Sequence, residues 1–225
     1  MDIITHRLMM ASSKKMIITP LFSSSNQSDL STYNYTSVPL GDENNSRWIV
    51  VCSGATDTAN TTPSTCVING VSATLASNAR HYASSNQSSS QIWYAKVPTG
   101  TSVTITITYS SAQLGNAISV FSLLGDALLG DTSSITSGSV LTTSTLSVPA
   151  NGVVFACLTM YTGNNGTTAS WSPESITPQT LYVTGGTGGK SQVAYGTTAG
   201  SYSVQATLST GTTTSALSVA VFYEA

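Results

Sequence analysis

Along residues 96–111, KVPTGTSVTITITYSS, apolar and polar positions alternate without a break. Val103, Ile105, Ile107 and Tyr109 fall on one face and Thr104, Thr106 and Thr108 on the other, the period of two of a half-buried strand. SYSVQATLS repeats the pattern, with Tyr202, Val204, Ala206 and Leu208 on one side. Alternation is lost in RWIVVCSG, GVVFACLTM and ALSVAVFY, where both faces are apolar. These three are expected as central strands, covered on both sides by the rest of the fold or by a neighbouring subunit.

Strand patterns bounded by Gly, Pro, Asn and Ser clusters recur at 47–53, 65–75, 91–97, 101–110, 117–124, 140–148, 152–160, 180–184, 191–196, 201–209 and 216–223. Helical turns are expected at most at Ala79–Ala83 or Leu123–Leu129. Asn69-Gly70 predicts a type I′ hairpin turn, because both positions of that turn need φ > 0. The expected fold class is all-β: an antiparallel β-sandwich, Ig-like or jelly-roll-like, of about 8–11 strands over residues 46–225. Residues 1–45, polar and without periodicity, are expected as an extended N-terminal arm or tail. An internal echo, VPTGTSVTIT at Val97–Thr106 and VPANGVVFAC at Val148–Cys157, raises the prospect of a duplication within the sandwich.

Composition sharpens this picture. Charged residues make up 7% of the chain, against roughly 25% in ordinary globular proteins. No apolar run approaches the ~20 residues of a spanning helix, so no membrane partner is expected. A net charge of −2 gives no electrostatic footprint for nucleic acid. The opening MDIITHRLMMASSKKMIITP has too short an apolar run for a secretory signal, and the N-x-S/T sequons carry no weight without one. Cys52, Cys66 and Cys157 show no C-x-x-C spacing and read as small buried hydrophobes, with a Cys52–Cys66 bridge as the open alternative.

The sequence offers little conventional chemistry. Asp126 and Asp131 bracket ALLG and form the one acid pair that a glycosidase reading could use, although acids flanking a turn usually face solvent. Asp42–Glu43 lacks the spacing of a calcium loop, and His81 sits outside any nucleophile elbow. GGTGGK, residues 185–190, has the wrong glycine spacing for a phosphate loop. No catalytic residue, cofactor or metal is expected, and the chain reads as a non-enzyme. Tyr33, Tyr35 and Trp171, in loop-like sequence beside Tyr82 and Tyr161, are the expected contacts for a partner or a glycan, whereas Trp48 and Trp93 read as core.

The phrases RWIVV, INGVSAT and AKVPTGTSVTIT, in this strand order over Arg47 to Tyr223, resemble a class of tailed-bacteriophage virion proteins. That resemblance implies a β-sandwich in the virion, assembled in the host cytoplasm. The implied role is a capsid decoration (cement) protein that binds the head shell through its sandwich and arm. Its expected partners are the major capsid protein or other virion proteins and further copies of itself in a homo-oligomer such as a trimer. A tail, neck or fibre component, or a host-surface glycan-binding module, is the alternative.

Overall fold

A computed structural model describes residues 15–162, 167–179, 182–185 (backbone only), 189–211 and 214–224. The chain is all-β and antiparallel throughout. Its first part forms β1 (Ile17–Asn26), β2 (Leu30–Pro39), β3 (Arg47–Asp57), β4 (Pro63–Ile68), β5 (Val71–Ser72), β6 (Thr74–Ala83), β7 (Asn86–Lys96), β8 (Ser102–Gln113) and β9 (Gly115–Leu124). The second part forms β10 (Ala127–Thr136), β11 (Val140–Thr142), β12 (Leu146–Val148), β13 (Val153–Tyr161), β14 (Ala169–Ser172), β15 (Thr177–Pro178), β16 (Tyr182–Gly185), β17 (Gly189–Gly196), β18 (Gly200–Tyr202), β19 (Gln205–Leu208) and β20 (Thr214–Glu224).

These strands build two sandwiches rather than one. In the first, an inner sheet β1-β9-β3-β7-β6 faces an outer sheet β2-β8-β4-β5. In the second, an inner sheet β10-β20-β13-β17-β15 faces two short outer pieces, β11-β19-β14 and β12-β18. The two halves share one connectivity. Each edge strand (β1, β10) leads to the outer sheet, and the last strand of each half (β9, β20) pairs between that edge and a central strand (β3, β13). This is jelly-roll order, present twice and roughly half the chain apart. The echo at Val97 and Val148 does not mark the repeat: the first lies on the β7–β8 crossover and the second on the β12–β13 crossover, which are different corners of the roll.

The inner sheets pack against each other, so the molecule is a slab of four layers with three cores. Ile49, Val51, Ile105, Ile107 and Tyr109 meet inside the first sandwich; Val154, Leu158, Leu217, Val219 and Ala206 meet inside the second. Val50, Cys52, Phe121, Phe155, Cys157 and Phe222 fill the space between the inner sheets. Phe121 and Phe155 lie 5.0 Å apart between ring centroids, and Tyr94 meets Phe222 edge-on at 5.2 Å. Strands β3, β13 and β20 are therefore covered on both faces, as the blurred alternation predicts, and β9 joins them. The cover comes from the chain's own second sandwich.

The seam between the sandwiches is apolar at one end and hydroxylic at the other. Ser90 and Ser218 lie 3.0 Å apart through their Oγ atoms, and Ser88 Oγ is 2.8 Å from Thr214 Oγ1. Cys157 Sγ donates to Ser53 O at 3.4 Å. Here Gly54 lets β3 approach the second sheet: a Cβ at that position would collide with the side chains of Ser191 and Thr159.

Three expectations change. The arm over 1–45 gives way from Ile17 onward, because β1 and β2 complete the inner and outer sheets of the first sandwich; residues 1–14 lie outside the described residues. Ala79–Ala83 is strand, and Leu123–Leu129 is the end of β9, a short turn at Gly125–Asp126 and the start of β10, since tertiary pairing overrides their helical composition. Trp93 is core, but Trp48 is half-buried at the rim, with Lys96 Nζ 5.8 Å from its ring centroid. The Asn69-Gly70 turn is present, with φ of 52° and 78°.

Arg47 opens β3 with a fully buried guanidinium. Its Nε donates to Val97 O at 2.8 Å; Nη1 reaches Leu40 O, Gly41 O and Asp42 O; and Nη2 reaches Thr99 O and Gly100 O. Glu43 Oε1 accepts from Gly100 N at 2.6 Å, tying the same two loops together. Only a planar fork of five donors suits this ring of carbonyls.

Two substitutions test these packing arguments in urea titrations. Gly54→Ala is expected to cost about 1–3 kcal/mol, the range for overpacking a filled core; an unchanged midpoint would show that the sheets are not in contact there. Arg47→Lys keeps the charge but strands several carbonyls, and is expected to cost on the order of 3 kcal/mol.

Candidate functional site

The aromatic residues expected at a binding surface are mostly inside. Tyr33 is fully buried, its hydroxyl 2.8 Å from both Ser28 O and Gln113 O. Tyr35, 6% exposed, directs its hydroxyl to Asn116 Oδ1 at 2.8 Å. Asn116 Nδ2 then donates to Gly54 O and to Tyr109 OH, and Tyr109 OH approaches Gln91 Oε1 at 3.3 Å. Tyr35 and Tyr109 thus belong to one buried polar chain through the first core, and Tyr33 stands apart with its hydroxyl on two main-chain carbonyls. Burial pushes the Tyr33 phenol up to about 12 and raises Tyr35 and Tyr109 as well. The reading of Tyr33 and Tyr35 as contacts is corrected: they alternate with Thr32, Asn34 and Thr36, a period-two signal of a half-buried strand.

Trp171 is half-buried on β14, with its ring turned toward the second core. Its Nε1 donates to Gln192 Oε1 at 3.0 Å, and Gln192 Nε2 donates to Gln179 O at 2.8 Å. The indole is thereby tied to its own sandwich. Tyr82 is 42% exposed and stands alone at the end of β6.

The acidic candidates do not converge. Asp131 Oδ2 accepts from Ser147 N at 2.7 Å on the surface, and Asp126 is exposed in the β9–β10 turn. Among the described residues Asp57 is the one buried acid: Gln113 Nε2 donates to it at 3.2 Å and Thr58 N at 2.7 Å, and burial raises its pKa. It belongs to a closed network with Thr61, Gln87 and Arg80 at one end of the first sandwich. Among the described residues no three His, Cys, Asp or Glu side chains are placed to share a metal ion. His81 lies on β6 and its Nδ1 accepts from Ser215 N at 3.4 Å across the seam. Of GGTGGK, residues 186–188 lie outside the described residues.

What the structure does display is a pair of uncharged sheet faces on opposite sides of the slab. On the first outer sheet, register aligns Thr32, Thr108 and Thr65 in one row and Asn34, Thr106 and Val67 in the next. Thr106 Oγ1 donates to Asn34 Oδ1 at 2.7 Å. On the second outer sheet the rows are Thr142, Gln205, Ser172 and Val140, Thr207, Ser170. Gln205 Nε2 donates to Thr142 Oγ1 at 2.8 Å. All twelve side chains are exposed or half-buried and none carries charge. The threonine face of β8 is therefore an outer face of the molecule.

A second feature is a cleft of about 460 Å³ at the side of the first sandwich, lined by Phe22, Ser24, Ser25, Asn26, Gln27, Asn34, Tyr35 and Thr36. It too is uncharged.

With this geometry in hand, comparison with known proteins adds no relative: no family model, no curated protein and no solved structure matches the chain.

The thiols yield a test. All three cysteines are free and buried, Cys66 in the first core and Cys52 and Cys157 between the inner sheets, so the Cys52–Cys66 alternative is not formed. Burial pushes Cys66 and Cys157 from the ordinary 9.0 up to about 12 and raises Cys52 as well. A thiol whose folded pKa is raised contributes its stability below the unfolded pKa and loses it as pH climbs toward the folded value. Stability is therefore expected to hold up to about pH 9 and fall progressively toward 12. All three thiols should resist a thiol reagent at neutral pH until denaturant is added; rapid native-state labelling would contradict their burial.

Proposed function

We propose that the chain is a non-enzymatic structural subunit whose work is done by its two outer faces, and that its setting is a bacteriophage particle, as a capsid decoration protein. The observation that carries this reading is the pair of neutral hydroxyl faces at opposite ends of a four-layer slab. Covering a surface charge costs several kcal/mol unless it is paired. Ser, Thr, Asn and Gln lose less on burial and serve as donor or acceptor to whatever arrives. A slab that presents such faces on both sides is suited to lie between neighbours. The resemblance of RWIVV, INGVSAT and AKVPTGTSVTIT to virion proteins supports the choice of setting.

In this role the mechanism is mass action. Each contact formed only with the closed shell stabilises that shell by the ligand's occupancy of it. A rigid double sandwich loses little conformational entropy on docking, because its faces are ordered before contact.

Charge placed on these faces tests the proposal. Thr104→Lys with Thr106→Lys on one side, and Thr142→Lys with Thr207→Lys on the other, alter exposed or half-buried positions and should leave the unfolding free energy within about 0.5 kcal/mol of wild type at each site. At least one pair is expected to abolish occupancy of the particle as counted by cryo-microscopy. Full occupancy with both pairs present would sink the docking role of these faces.

A further inference from the structure

The cleft at the side of the first sandwich lies between two strand edges. Strand β1 is the edge of the inner sheet and β2 the edge of the outer sheet, so the gap between them is the mouth of the sandwich. Both edges are distorted at that point. Pairing of β1 slips between Pro20 and Phe22, and pairing of β2 slips between Tyr35 and Val38, where Ser37 takes φ 56°. Phe22, Tyr35 and Thr36, at these two bulges, line the cleft. Bulges re-aim side chains and end regular pairing, and they recur beside binding sites.

The second sandwich shows what the same mouth looks like when closed. Strand β10, the counterpart of β1, slips between Leu129 and Thr132, and the counterpart of β2 is broken between β11 and β12. There the two edges are laced: Ser147 N donates to Asp131 Oδ2 at 2.7 Å, and Ser144 Oγ donates to Ser133 Oγ at 3.1 Å. The first sandwich has no such lacing between its cleft residues. Asn26 Oδ1 accepts from Ser28 N and Asn34 Oδ1 from Thr106, which leaves both amide nitrogens uncommitted. Ser24, Ser25, Gln27 and Thr36 make no side-chain hydrogen bond of their own.

The chemistry of the lining narrows the occupant. No cation is present to hold a phosphate or carboxylate, and no carboxylate to hold a metal or an amine. An added peptide strand needs a straight edge with a regular ladder, which Pro20 and the two bulges deny. Hydroxyl and amide groups set around the half-buried Phe22, over a floor formed by the buried Tyr35, match a ligand rich in uncharged hydroxyls that also has an apolar face. We infer that this cleft binds a neutral carbohydrate, a terminal sugar or short oligosaccharide, held by hydrogen bonds from Asn26, Asn34 and the serines and packed on Phe22.

This inference does not depend on the role of the outer faces. The full chain is titrated with a panel of neutral oligosaccharides built from glucose, galactose, mannose and N-acetylglucosamine, followed by amide chemical shifts. At least one sugar should shift resonances of residues 22–27 and 34–36 saturably. Gln27→Ala with Asn34→Ala, both at exposed positions, should weaken that binding about tenfold, as should Thr36→Trp, which fills the cleft. Circular dichroism confirms that each variant is folded. Absence of saturable shifts at millimolar sugar, shifts confined elsewhere, or affinity unchanged in both variants would each overturn the assignment. So would sedimentation showing that cleft variants change self-association, since that would mark the mouth as a site for a second copy of the chain.

Discussion

The structure depends on one constraint: the inner sheets of both sandwiches have no free face. Each packs its own outer sheet on one side and the other inner sheet on the opposite side, so four long strands run through the molecule with every side chain buried or nearly so. An ionised group there would need a partner at atomic distance. The chain meets this demand by keeping charge to the ends of these strands, at Arg47 and Asp57 of β3 and Glu224 of β20, and the low charge of the whole sequence follows in part from having three cores in a molecule of this size.

Most polar groups that remain inside are satisfied locally; among the described residues, Trp48 Nε1, Trp93 Nε1, Gln91 Nε2, Gln113 Oε1 and Glu224 Oε2 are buried without a partner. Hydroxyls along the seam pair with one another across the two sheets, and Gly54 removes the side chain that would hold those sheets apart. Arg47, the largest fully buried side chain, spends its donors on main-chain carbonyls of two loops rather than on an acid. The tyrosine–asparagine chain from Tyr35 to Gln91 serves the first core in the same way. Such networks fix register, because a slipped strand would leave several donors and acceptors unpaired.

The consequence for function is a division of labour by layer. The inner sheets hold the molecule together, and the outer sheets and the open mouth of the first sandwich are left to meet other molecules. In the second sandwich the equivalent mouth is laced by Asp131 and Ser144, so two copies of one topology present different surfaces.

Much of this was legible in the chain. Alternation located β8 and the β18–β19 region, its loss located β3, β13 and β20, and Asn69-Gly70 located a turn, because each reports a local backbone requirement or a face buried by the strand's own sheet. Tyr33 and Tyr35 carry a valid strand signal hidden in a polar stretch, whose composition is otherwise that of an arm. What no local pattern could supply was the partner of each face. That the apolar backs of β3 and β13 cover each other, that Thr106 lies at the surface beside Asn34, and that Phe22 and Tyr35 line one cleft are all matters of residues far apart in sequence. The sequence by itself determined a charge-poor, antiparallel β protein with doubly buried central strands. Only the tertiary structure decided that there are two jelly rolls back to back, since connectivity and inter-sheet packing are settled by long-range contacts that strand periodicity does not encode.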